Sequence, residues 1–135
     1  MIIFVGSNPA KNTNNQPFGN CKSGDRLRQW INMAGIDESQ CLFANVYNLE
    51  TEKNKKPSTK EAIKYSKEVL LKNLDGHTVV AVGKFAGKIL DKLNVKCLQI
   101  EHPSGLNRNL NNPEVYKKMI DMLSVLWEEY TGHNK

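Results

Sequence analysis

The sequence predicts an α/β protein: a three-layer α/β/α arrangement in which a four-stranded, mainly parallel sheet lies between helices. Short, almost uniformly apolar runs alternate along the chain with longer segments of helical period. Strands that are apolar on both faces belong to parallel sheets covered on both sides. At 135 residues the chain has the length of one domain, residues 1–135, with one packed core.

Residues 2–5, Ile-Ile-Phe-Val, form the first strand, closed by Gly6. The stretch 7–22 is polar, rich in asparagine and punctuated by Pro9, Pro17 and Gly19. Loops of this length inside a compact domain tend to carry function. Ser23 caps a helix reaching about Ala34, with Leu27, Trp30, Ile31 and Ala34 on one face and Gly35 ending it. Residues 41–46 make the second strand, followed by a loop rich in lysine and asparagine up to Pro57. Ser58 or Thr59 caps a helix to about Leu74, with Ile63, Val69 and Leu70 inward and Lys60, Lys64 and Lys67 outward. Residues 78–82 are the third strand, closed by Gly83; residues 85–93 are a short helix, and 97–100 the fourth strand. Pro113 suits the first turn of a last helix reaching about Tyr130, whose apolar stripe is Val115, Ile120, Leu123, Leu126 and Trp127. The chain shows no internal repeat and no linker.

Hydrophobic residues at 39% and charged residues at 24% are near the globular average, which argues against wholesale disorder. No apolar run approaches the ~18 residues of a membrane span, and no basic segment precedes residues 2–5 as in a secretory leader. A soluble, cytoplasmic protein is expected. The formal charge of +5 favours a polyanionic partner, although an excess of lysine over arginine with abundant asparagine also follows from AT-rich coding DNA. Three cysteines with no CxxC pair argue against a zinc ribbon, a disulfide framework and a four-cysteine iron–sulfur cluster. Cys41 and Cys97 open apolar runs and read as small buried residues, whereas Cys21 sits in a polar loop with no neighbour that would make it a nucleophile.

In open parallel sheets, ligands bind beyond the carboxyl ends of the strands. Three of the four strands end in polar segments that packing does not explain: Gly6-Ser7-Asn8-Pro9-Ala10, Asn45-Val46-Tyr47-Asn48, and His102-Pro103-Ser104-Gly105-Leu106-Asn107-Arg108. The GxNP segment at 6–9 together with HPSGLNR at 102–108 resembles the two signature motifs of the uracil-DNA glycosylase superfamily. The similarity extends to Pro17-Phe18, to Ser23-Gly24 and the helix after it, to Asn45 closing the second strand, and to VVAVGKFAGKIL at 79–90.

The resemblance implies a monofunctional DNA glycosylase that hydrolyses the N-glycosidic bond of uracil or a related damaged pyrimidine. Such a bond breaks through an oxocarbenium-like sugar while negative charge gathers on the departing base, so the protein must stabilise an anion and position a water. By resemblance, His102 is the donor to the base O2 and Asn8 holds the water, by orientation only, since an amide is no strong base. Asn45 reads the Watson–Crick edge with one donor and one acceptor, Ser7 also contacts the base, and Phe18 stacks on it. Leu106 is the wedge that fills the vacated stack. Gly105 permits close approach to the backbone, Ser104 and neighbouring amides bind phosphate, and Asn107 and Arg108 add DNA contacts.

The same residue types have purely structural uses: Asn-Pro starts turns, a histidine caps a strand end, a phenylalanine pins a long loop, and an exposed leucine is ordinary. DNA is the implied partner of a monomer, with no membrane, no cofactor and no metal. The chain departs from the family in its short length, in Ala10 where a glycine often follows the proline, and in lacking the cluster-bearing branches' cysteines, while Asn8 resembles the mismatch-specific and single-strand-selective branches where other branches carry aspartate. Two other readings remain: a non-catalytic DNA- or base-binding protein on the same fold, and a glycosidase acting on free nucleosides or nucleotides. The absence of GxGxxG and GxxxxGK[ST] phosphate loops tells against the second, and the positive charge against a DNA mimic.

Overall fold

Residues 1–7, 22–47, 58–103 and 107–133 are described in a computed structural model. Strands β1 (Ile2–Gly6), β2 (Cys41–Asn45), β3 (Thr78–Val82) and β4 (Leu98–Ile100) form one sheet in the order β2-β1-β3-β4, and every pair is parallel. The register sets Gly6 opposite Asn45 and Val82 opposite Ile100, so the four carboxyl ends lie along one edge.

Alternation along the strands divides the core into two layers. Ile2, Phe4, Val80 and Val82 pack against Leu27, Trp30 and Ile31 of α1 (Lys22–Met33) and Met119 and Leu123 of α5 (Pro113–His133). Ile3, Val5, Val79 and Ala81 pack on the opposite face against α2 (Thr59–Tyr65), the turn after it, α3 (Leu71–Leu74) and α4 (Lys84–Lys92) through Ala62, Leu70, Leu74, Ala86, Ile89 and Leu90. The three-layer α/β/α architecture is thus as the sequence predicts, with the sheet wholly parallel. Its centre is β1, buried at every residue because it is paired on both edges and covered on both faces.

The caps are local and explicit. Ser58 accepts from the Glu61 N–H at 3.1 Å and so is the cap of α2, while Asn112 accepts from the Glu114 N–H at 3.0 Å across the proline that opens α5. Two short 3₁₀ turns, Glu38–Gln40 and Arg108–Asn111, escaped the sequence reading because three or four residues carry no periodicity. No helix among the described residues is long and apolar enough to cross a membrane.

The helix expected over residues 58–74 is corrected in its middle. Between α2 and α3 lies a π-helical turn, Ser66–Leu70, in which the Leu71 N–H donates to the Ser66 carbonyl, five residues back. The buried stripe is Ala62, Ser66, Leu70 and Leu74, one residue in every four. At 3.6 residues per turn that spacing drifts about 40° per step, and the wider turn takes up the drift. In consequence Val69, expected inward, is 40% exposed, Ile63 is only half-buried, and a serine occupies the core. Cys97 is also only half-buried, whereas Cys41 is buried as expected.

Candidate active site

The ladder between β1 and β2 continues past the ends of the strands. The Val46 N–H donates to the Gly6 carbonyl at 2.9 Å and the Tyr47 N–H to the Ser7 carbonyl at 3.0 Å. These bonds hold the exits of both strands side by side. Asn45, the last residue of β2, is 5% exposed, and its Nδ2 has no hydrogen-bond partner among the described residues. Leaving a buried amide donor unmade costs about 1–3 kcal/mol. An orphan donor at the carboxyl edge of a parallel sheet, where ligands of open α/β folds bind, is open to an acceptor that a ligand brings.

On the far side of β1, β3 ends at Gly83, whose N–H donates to the Ile100 carbonyl at 2.9 Å and ties the exits of β3 and β4 together. Gly83 has φ +93°, and a Cβ placed on it would lie 3.1 Å from both Cβ and Cδ2 of His102. Two separate constraints therefore demand glycine here: the backbone conformation and the ring of His102 lying against it. With strands ~4.8 Å apart, the ends of β2 and β3 stand about 10 Å from each other across the end of β1. Asn45 stands on one side of that gap and His102 on the other, with Ser7 following the end of β1. Gly83→Ala is expected to displace the imidazole and lower the rate of the reaction proposed below by ~10², the scale of a 1 Å misplacement, with KM nearly unchanged; a steady-state comparison with the parent measures it.

The chain leaving β4 is braced by a carboxylate. The Asn107 Nδ2 donates to Glu101 Oε2 at 3.1 Å and to the His102 carbonyl at 3.0 Å, and the Asn109 Nδ2 donates to Glu101 Oε1 at 3.3 Å. The Asn107 Oδ1 also accepts from the Asn109 N–H at 3.1 Å. Glu101 thus joins the two flanks of residues 104–106. Asn107, expected as a DNA contact, has its amide engaged in this brace, while Arg108 on the 3₁₀ turn is exposed. Glu101 and Gly83 are the residues that sequence reading passed over. The available signal was a glutamate directly before the histidine, with asparagines six and eight residues after it.

The structure brings Ser7, Asn45 and His102 to one edge. Asn8, Phe18, Ser104, Gly105 and Leu106 lie outside the described residues, as do Ala10 and Cys21. Cys41 sits at the opposite edge, where its thiol donates to the Asp37 carbonyl at 3.6 Å. Burial, with the nearby charges of Glu38 and Asp37, pushes the Cys41 thiol up to about 11, so it carries no thiolate near neutral pH. No group of three or more histidine, cysteine, aspartate or glutamate side chains among the described residues could hold a metal ion.

The family model described as the uracil DNA glycosylase superfamily matches residues 1–124. The chain belongs to the uracil-DNA glycosylase superfamily. A search of curated proteins finds no match. Membership supports a glycosylase-like function with DNA as the substrate class.

Proposed function

We propose that this protein is a monofunctional DNA glycosylase that hydrolyses the N-glycosidic bond of uracil or a related damaged pyrimidine in DNA. The observation that carries the reading is the buried Nδ2 of Asn45, without a partner among the described residues, at the strand edge that also holds His102. Uracil offers O4 as an acceptor and N3–H as a donor, the complement of one carboxamide. The target nucleotide leaves the stack and its base enters between Asn45 and His102. As the C1′–N1 bond breaks, the electron pair goes to the base and negative charge spreads onto O2, where the imidazole of His102 donates a hydrogen bond. A neutral imidazole suffices, because the stabilisation grows with the charge on the oxygen.

Water adds to C1′, losing one proton to solvent, and the base anion takes up a proton after departure. Asn8 orients this water. Phe18 stacks on the base, Ser7 lines its pocket, Leu106 fills the gap in the duplex, and Ser104, Gly105 and Arg108 meet phosphates. Asn107, bonded to Glu101 and to the His102 carbonyl, ties together the chain on either side of residues 104–106.

Labelled oligonucleotides bearing uracil, hydroxymethyluracil, hypoxanthine or a mismatched thymine, incubated with excess protein and then treated with alkali, test the proposal. Strand cleavage at uracil is expected. Binding without cleavage on any substrate would favour a non-catalytic protein of the same fold, and release of base from free nucleosides alone would move the substrate class.

A further inference from the structure

We infer that Ser66, in the core between the helical layer and the exit of β2, is a positioning residue for recognition of the base. The inference rests on the glycosylase reading of the edge site and assigns it a determinant of base affinity. Ser66 is fully buried, and its hydroxyl donates to the Val46 carbonyl at 3.0 Å. The N–H of that same peptide unit, on Tyr47, donates to the Ser7 carbonyl at 3.0 Å. A trans peptide points its carbonyl and its N–H in opposite directions, so the unit is clamped from the helical side by Ser66 and from the β1 side by Ser7. The peptide before it is held by the Val46 N–H bond to Gly6. Two successive peptides after Asn45 are therefore immobilised, and they set the direction in which the chain leaves that residue.

The helix is reshaped around this contact. Ser66 opens the π-helical turn, its carbonyl takes the five-residue bond from the Leu71 N–H, and its own N–H is shared between the Ala62 and Ile63 carbonyls. A π turn inside a helix is rare and is found mostly at functional sites. Here it puts a hydroxyl, where an apolar side chain would serve packing better, against the Val46 carbonyl at the strand exit. It also turns Val69 out to solvent. Tyr65, just before the turn, meets Tyr47 edge-on with ring centroids 6.0 Å apart, a second contact between the same two segments. The Nδ2 of Asn45 is buried with no partner among the described residues to orient it, so the backbone that follows bears on its aim. Ser66 acts through that backbone and does not touch the base.

The test is binding of free uracil to the protein by NMR titration, a readout that needs no turnover, on the parent, Ser66→Ala and Ser66→Thr, alongside thermal unfolding and uracil excision. Ser66→Ala is expected to weaken uracil binding by about tenfold, the discrimination scale of a misaligned hydrogen-bonding pair, while affinity for uracil-free DNA, which phosphate contacts dominate, stays as in the parent. Ser66→Thr keeps the hydroxyl and restores uracil binding; should it fail to fold, Ser66→Cys, with its weaker donor, is expected to fall between parent and Ser66→Ala. A folded Ser66→Ala protein that binds uracil as tightly as the parent would overturn the inference alone. Equal loss in the alanine and hydroxyl-bearing variants would reduce Ser66 to packing and overturn it too. A parent that neither binds uracil nor excises it would overturn the glycosylase reading together with the inference.

Discussion

Replacing His102 by alanine is expected to slow base release by ~10²–10³ in single turnover, the loss that follows removal of one donor aimed at a developing oxyanion. The expectation comes from the position of the ring, held against Gly83 at the exits of β3 and β4 and across the end of β1 from Asn45. Phosphate contacts supply most of the affinity for DNA, so binding of uracil-containing DNA is expected to change little. The effect belongs in kcat, with KM almost untouched, because the charge that His102 meets exists only as the bond breaks. A His102→Ala protein as fast as its parent would place the anion-stabilising donor elsewhere.

Asn45→Leu is expected to move stability and activity in opposite directions. The wild-type side chain is 5% exposed and its Nδ2 is unbonded among the described residues. Leucine is close to asparagine in size and removes the unmet donor, so stability rises by about 1 kcal/mol, which for a chain of this length is a melting temperature higher by ~4 °C. The same change deletes both hydrogen bonds offered to the pyrimidine edge and lowers kcat/KM on uracil by about 10–100-fold. A binding residue that destabilises its own fold is a common trade in active sites. If instead the variant unfolds at a lower temperature, the amide of Asn45 has a structural partner and is no empty recognition group.

Much of this architecture is legible in the sequence because the strands are buried on both faces. Residues 2–5 and 78–82 are apolar at nearly every position, which only a covered sheet explains, and Leu27, Trp30 and Ile31 mark the inner face of α1 without ambiguity. The π turn is not legible. Its stripe of Ala62, Ser66, Leu70 and Leu74 contains a serine that any apolar pattern discards, and Val69 looks like the better inward residue until the turn is seen.

At the site, Ser7, Asn45 and His102 are readable because each ends a strand in a segment too polar for packing. The brace from Glu101 to Asn107 and Asn109, and the contact of His102 with Gly83, are not readable, because both depend on how the chain folds back after β4. Glycine after a strand is so common a stop that nothing in Gly83 itself announces the histidine packed against it.

The most direct measurement is single-turnover release of uracil from an end-labelled oligonucleotide under enzyme excess, with parent and His102→Ala proteins run in parallel and abasic sites cleaved by alkali. The account predicts exponential formation of abasic sites by the parent and a rate lower by ~10²–10³ in the variant. Uracil-containing DNA that the parent binds and leaves intact would contradict it.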